Sequence, residues 1–405
     1  MRILSVATFS HPEYFGGAER VITTVAEGLA ARGHEVTLLT GHADGTADEE
    51  VRHGVRVVRY PITRGSPTTF YRSVWKGVRR ALRAGVGGDA QLVHLHQMLS
   101  AVAAISPGSG LAVPRLFSFY APYHQEYLAR YREGLAGAAV PLKSRAIASI
   151  LKRADRYLLD HSDGVLVLSR FSRAQIEDSG SPAMDRVQIA GAGVDLERFR
   201  PPVDDDDRGR CRRRLGLEDD GAPWLLSVRR LVPRMGLGDL LDACAGLARR
   251  GLAFRLALAG DGEQRAALQE RASELDLGDR VRFLGRVADD ELGDLYRACS
   301  LFVLPTRSLE GFGMVTAEAL AAGLPVVGTD AGATTEVLGG VPGSRLVPAG
   351  DPAALETALA ESLQDPVALE TAGRAAREHA EQSLHWDVHL DALEAMARRL
   401  VEGAS

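Results

Sequence analysis

Short apolar runs that alternate with longer stretches of helical period constrain this chain more than any other feature. In the first half the runs are Ile3–Thr8, Glu35–Thr40, Val55–Tyr60, Leu92–Leu95, Arg115–Phe119, Val165–Leu168 and Val187–Ile189. In the second half they are Trp224–Val228, Arg255–Ala259, Val281–Leu284, Leu301–Leu304, Val326–Val327 and Arg345–Val347. Strands buried on both faces read as continuous apolar runs, and helical crossovers make neighbouring strands parallel. The pattern predicts an α/β chain with two doubly wound parallel sheets. Ligands bind such sheets outside the carboxyl ends of their strands, so two of them are expected to face a cleft.

The two series are separated by the stretch Phe199 to Arg208, which contains Pro201, Pro202 and the acids Asp204 to Asp207. Prolines and successive acids do not continue a helix or a central strand, so this stretch is read as an interdomain linker. Its carboxylates are read as a solvated turn rather than a metal site. The expected domains are 1–200, 201–384 and a terminal helix in 385–405 that packs back on the first domain. A chain of 405 residues has room for two or three domains.

A net charge of −5 and an aromatic content of 6% exclude a dedicated nucleic-acid binder, which needs a basic surface or stacking platforms. Cys211, Cys244 and Cys299 are widely spaced and odd in number, which points to a reducing compartment rather than a disulfide framework. The opening apolar run is too short for a signal-peptide core, and no stretch of about 18 apolar residues occurs. A soluble, cytoplasmic protein is expected.

Chemistry concentrates between Glu310 and Asp330. Glu310 and Glu318 stand eight positions apart, separated by Gly311, Phe312, Gly313 and a helix start, just after the run Leu301–Leu304. The glycines let backbone approach a ligand, and the orphan N–H groups and positive dipole end of a helix N-terminus favour phosphate. Glu310 is placed to reach sugar hydroxyls and Glu318 a ribose. The bland alternative is a capped helix on a sheet, with Glu318 on its surface.

With these residues the chain resembles the family-4 retaining glycosyltransferases of the GT-B fold, built from two Rossmann-like domains. The likeness runs through nearly its whole length. Gly16, Gly17 and Glu19 follow the first strand; Gly193, Asp195, Phe199 and Pro201 close the first domain; Arg229, Arg230, Arg234 and Gly236 follow the first strand of the second. Gly260, Gly262, Phe283, Gly285 and Val287 come later, in register. The resemblance implies transfer from a nucleotide-diphosphate sugar to a hydroxyl acceptor, with no cofactor and no metal. It implies that Gly16 and Gly17 lie against the diphosphate and that Arg230 neutralises it. The backbone near Gly285 to Val287 would hold the base, and Glu318 the ribose. Glu310, Gly311, Phe312, Gly313, Met314 and Val315 would hold the sugar and β-phosphate. The favoured family chemistry is front-face attack, in which the leaving phosphate oxygen takes the acceptor's proton. The base remains open among UDP, GDP, ADP and dTDP.

Two departures from the family pattern stand out. Met235 occupies the place of a common lysine, leaving Arg234 beside it or a looser diphosphate; Met235 as a core filler is the plain alternative. Tyr120 occupies the place of a common histidine. Two histidines are nearby: His124, four residues on, and His96 at a strand end. Glu310, Arg230, His96 and Tyr120 are the catalytic candidates. A basic helix from Tyr71 to Arg83 places Arg72, Lys76, Arg79 and Arg83 on one face, with Val74, Trp75, Val78 and Leu82 on the other. It could touch anionic lipid or steer an anionic acceptor, although interior packing needs the same apolar stripe. A second basic stretch runs from Lys143 to Arg156. The rival readings are a sugar-nucleotide epimerase on the same fold and a non-catalytic nucleotide-sugar-binding protein. The Ala-, Arg- and Gly-rich composition suggests a bacterial source.

Overall fold

The computed structural model describes residues 1–14, 16–134 and 140–404. The chain divides into two compact units. The first comprises Met1–Leu128, Val140–Gly191 and the chain from Asp387 onward; the second is built on Ala192–Trp386.

The first unit holds an eight-stranded sheet of β1 (Arg2–Val6), β2 (Glu35–Gly41), β3 (Glu49–Arg52), β4 (Val55–Tyr60), β5 (Leu92–Leu95), β6 (Arg115–Phe119), β7 (Gly164–Val167) and β8 (Val187–Ile189). Its order is β3-β4-β2-β1-β5-β6-β7-β8. Every pairing is parallel except that of β3 with β4. The antiparallel β3 has no apolar run to betray it: three of its four residues are charged and none is buried. Charged side chains on an edge strand discourage pairing with another chain. The inner strands are the opposite case. Ile3, Leu4 and Val6 of β1, and Leu92, Val93 and Leu95 of β5, are almost wholly buried.

The helix Trp386–Gly403 packs in this unit from Asp387 onward. A Cβ on Gly28 would fall 2.6 Å from Leu390 Cδ1, so glycine lets helix Gly17–Ala31 lie close against it. Arg32 pairs with Asp387 at 2.7 Å and Asp391 at 2.6 Å.

The second unit holds a six-stranded parallel sheet of β9 (Trp224–Val228), β10 (Arg255–Ala259), β11 (Val281–Gly285), β12 (Leu301–Leu304), β13 (Val326–Thr329) and β14 (Arg345–Val347). Its order, β11-β10-β9-β12-β13-β14, is the Rossmann order.

Two sequence expectations need correction. The acids after Val203 are not a solvated turn: Asp204 caps a helix at Asp205–Arg214, its side chain accepting from the Asp207 N–H at 2.7 Å. Asp205, Asp206 and Asp207 occupy its first turn and Arg212, Arg213 and Arg214 its last, each matching the nearer end of the helix dipole. Trp75 does not share the buried face of helix Pro67–Arg83. That face is Val74, Gly77, Val78 and Leu82, while Trp75 is 42% exposed with the Arg79 guanidinium over its ring. At 100° per residue, position 75 turns away from the stripe set by 74 and 78.

Candidate functional site

In the second unit the strand order reverses between β9 and β12, and most of the candidate residues follow these two strands. Arg229 and Arg230 come after β9; Pro305, Thr306 and the loop to Glu310 come after β12. The two loops are locked together at Gly236. Its φ of +68° is the left-handed region, and a Cβ there would sit 1.8 Å from the Pro305 carbonyl oxygen.

The lock brings Arg229 to Glu310. Arg229 Nη2 lies 2.6 Å from Glu310 Oε2 and 2.7 Å from Thr306 Oγ1, and it touches Met235 Sδ at 2.7 Å. The two charged side chains are 6% and 12% exposed. Arg229 Nε is buried with no hydrogen-bond partner among the described residues. Sequence reading gave the cationic role to Arg230, the next residue, which is exposed here. Alternation along an extended segment sends adjacent side chains to opposite sides, and Arg229 takes the inward one. Met235 is buried and sits against that guanidinium.

The approach to Glu310 is held on every side. Arg234 Nη1 donates to the carbonyls of Leu309 at 3.2 Å and Ser308 at 3.4 Å. Leu309 has a φ of +57°, a left-handed conformation that costs a non-glycine residue about 1 kcal/mol or more. The Glu310 carbonyl accepts from Ala333 N at 2.8 Å. A Cβ on Gly332 would lie 2.3 Å from that carbonyl oxygen, so glycine is required there.

Beyond Glu310, Gly311 is half-buried and Phe312 buried, and Gly313 (φ +90°) caps the helix Met314–Ala321. The Gly313 carbonyl accepts from Thr316 N and Ala317 N. Met314 is buried and Val315 half-buried. Glu318 is not a surface residue: it is 3% exposed, and its Oε2 accepts from Tyr296 Oη at 2.8 Å. Sequence reading missed Tyr296. The signal was a tyrosine on the buried stripe of helix Asp289–Ala298, where a phenol needs a hydrogen-bond partner.

Gly285 (φ +69°) ends β11, and its carbonyl accepts from Gly260 N at 2.7 Å. A Cβ on Gly260 would lie 1.8 Å from the Arg229 carbonyl oxygen, which ties the ends of β9, β10 and β11 together. Val287 is half-buried in the segment after β11.

In the first unit the order reverses between β1 and β5. Gly16 caps helix Gly17–Ala31 in an extended conformation. Gln97, which follows β5, accepts from Thr8 N and Phe9 N at 2.8 and 2.7 Å and donates to Glu19 Oε1 at 2.7 Å. It thereby joins the loop after β1 to the first turn of that helix. Gln97 was also missed, because a lone glutamine carries no motif.

His96 and Tyr120 are brought together. His96 Nδ1 lies 2.8 Å from Tyr120 Oη, and its Nε2 lies 2.8 Å from Ser5 Oγ. Burial, then the neighbouring His94, holds His96 well below the usual imidazole range, and burial pushes Tyr120 far up. Both are neutral, and both His96 ring nitrogens are engaged inside the unit. His124 stands in helix Tyr123–Gly134 with Nδ1 2.9 Å from Asp155 Oδ2. Among the described residues no cluster of three or more His, Cys, Asp or Glu is placed to hold a metal, and no helix is long and apolar enough to cross a membrane.

Residues 212–379 match the family of glycosyl transferases group 1, and residues 15–198 match glycosyltransferase family 4. D-inositol 3-phosphate glycosyltransferase 1 of Catenulispora acidiphila is 31% identical over 403 residues, 96% of this chain and 92% of that relative. A GDP-mannose-dependent alpha-(1-6)-phosphatidylinositol monomannoside mannosyltransferase of Mycolicibacterium smegmatis is 34% identical over 58% of this chain, and the match spans 62% of its own length. Among solved structures, sucrose-phosphate synthase from Thermosynechococcus elongatus superposes with a TM-score of 0.84 at 23% identity, covering 99% of each chain. Anabaena HepE in complex with UDP-glucose gives 0.76 at 20% identity, over 98% of this chain and 100% of that one. At these identities the two structures bear on the fold alone.

Proposed function

The chain belongs to the group 1, family-4 glycosyltransferases of GT-B architecture and moves a sugar from a nucleotide sugar to an acceptor, and from that premise we propose that it retains the anomeric configuration, uses a hydroxyl acceptor and works without a metal. The observation that carries the proposal is the cluster at the reversal point of the second sheet. There Glu310, Arg229 and Arg230 follow adjacent strand ends, and Gly313 opens a helix a few residues on.

The reaction breaks the bond from the anomeric carbon to the leaving phosphate oxygen and forms one to the acceptor oxygen. The acceptor's proton passes to the departing phosphate, and a nucleoside diphosphate is released. The main demand is stabilisation of charge growing on that phosphate, which fixed cations and a helix N-terminus meet without reorganising. Arg230, an exposed residue, is assigned to the diphosphate, as are the N–H groups opening the helix after Gly313. Glu310 is assigned to sugar hydroxyls, Glu318 to the ribose and the Gly285–Val287 backbone to the base. In the first unit the Gly16–Gly17 turn, steadied by Glu19 and Gln97, is assigned to phosphate contact. His96 and Tyr120, neutral and bonded to each other, support the strand ends. That matches a route in which the leaving group is the base.

Glu310→Ala and Arg230→Ala are each expected to lower transfer by at least tenfold. Full transfer by either folded variant refutes the assignment. A panel of nucleoside diphosphates read by thermal stability identifies the base, since a ligand at about 100 times its dissociation constant adds about 2.7 kcal/mol.

A second reading concerns helix Pro67–Arg83. Its exposed Trp75 stands among exposed Arg72, Lys76, Arg80 and Arg83, which supports peripheral contact with anionic lipid from the cytoplasmic side. Failure to co-sediment with anionic liposomes at low salt refutes it.

A further inference from the structure

The Arg229–Glu310 pair carries a function that neither residue's place in the sequence discloses. A carboxylate with 12% of its side chain exposed cannot sit near a diphosphate unless its charge is offset. In a water-poor site like charges repel strongly, and one of them must be neutralised. Glu310 is paired with Arg229, whose guanidinium is tied to Oε2 and to Thr306. Oε2 is thus fixed by a charged donor. The arginine is itself nine-tenths buried and keeps an unpartnered Nε, so its charge is delivered inside the site rather than to solvent.

Position 235 is the other half of the observation. Met235 Sδ touches the same guanidinium nitrogen, so a cation carried on residue 235 would arrive at the same point. We propose that Arg229 is the positioning residue of the donor site. It neutralises and orients Glu310 so that a diphosphate can bind beside it, and it does from position 229 what a cationic side chain at 235 could do. This rests on the donor-site reading above.

The test compares nucleoside mono- and diphosphate binding to the full chain by calorimetry. It uses the base selected by wild-type protein, with wild type, Arg229→Met, Arg229→Gln, and each of these combined with Met235→Lys. Both single variants are expected to weaken the diphosphate at least tenfold, about 1.4 kcal/mol, and the monophosphate less than twofold. Adding Met235→Lys is expected to restore most of the diphosphate affinity. Arg229→Gln keeps hydrogen bonding without charge, so it serves if the methionine variant does not fold. Equal loss of both nucleotides, or no restoration by Met235→Lys in a folded double variant, overturns the proposal. Wild-type protein that binds no nucleoside diphosphate at all sinks the donor-site reading instead, and the two failures are distinct.

Discussion

His94 and His96 lie at the end of β5 with ring centroids 4.0 Å apart, and they are 1% and 2% exposed. Burial, then the nearby His389, pushes His94 down to about 3, and His96 is depressed by burial and by His94. The folded chain refuses protons that the unfolded chain accepts near pH 6.5, so stability must fall as pH drops from about 6.5 toward 3. Each such site costs about 1.4 kcal/mol per pH unit in this window. At about pH 4.5, two units below the free value, His94 alone removes about 2.7 kcal/mol, a large fraction of a typical domain's stability. Carboxylates titrate in the same range, so the informative quantity is a difference. His94→Leu removes one proton site, and its stability should vary less steeply with pH by about 1.4 kcal/mol per unit between about pH 6 and 4. Urea unfolding at several pH values, with separate transitions fitted for the two units, measures both slopes. Parallel curves for wild type and variant would refute the neutral, buried state of His94. A shallower variant would support the same treatment of His96, whose ring nitrogens are engaged by Ser5 and Tyr120.

Other perturbations act in the second unit. Tyr296→Phe removes a buried donor to Glu318 Oε2 and should cost about 1.5–3 kcal/mol, read as a lower urea midpoint with an unchanged slope. If Glu318 grips the ribose, the same variant should also weaken nucleoside binding, which a purely structural loss would leave alone once the protein is folded. Gly236→Ala places a methyl group against the Pro305 carbonyl at a positive φ, and should cost at least about 2 kcal/mol while raising the donor KM. A Gly236→Ala protein of wild-type stability would show that the two loops are not locked as described.

Nearly every strand of both sheets could be read from the chain, because a strand buried on both faces must be apolar throughout. The runs at Val55–Tyr60, Leu92–Leu95, Trp224–Val228 and Leu301–Leu304 coincide with β4, β5, β9 and β12. β3 escaped because an edge strand has solvent on one side and carries charge. The helix opened by Asp204 escaped because a run of acids looks the same in a cap as in a turn; only the hydrogen bond to the Asp207 N–H separates them. The loop from Glu310 to Gly313 stands out in the chain through its closely spaced glycines, and the family likeness supplies the roles proposed for its residues.

What the sequence alone determined was therefore the strand series and the Rossmann-like class of each half, since periodicity is a local property. What only the tertiary structure decided was partnership. Arg229 meets Glu310 across 81 positions of sequence, Tyr296 meets Glu318 across 22, and His96 closes on Ser5 and Tyr120. Which of two adjacent arginines turns inward is set by where two strand ends come together, and a long-range pairing leaves no periodic trace in the chain.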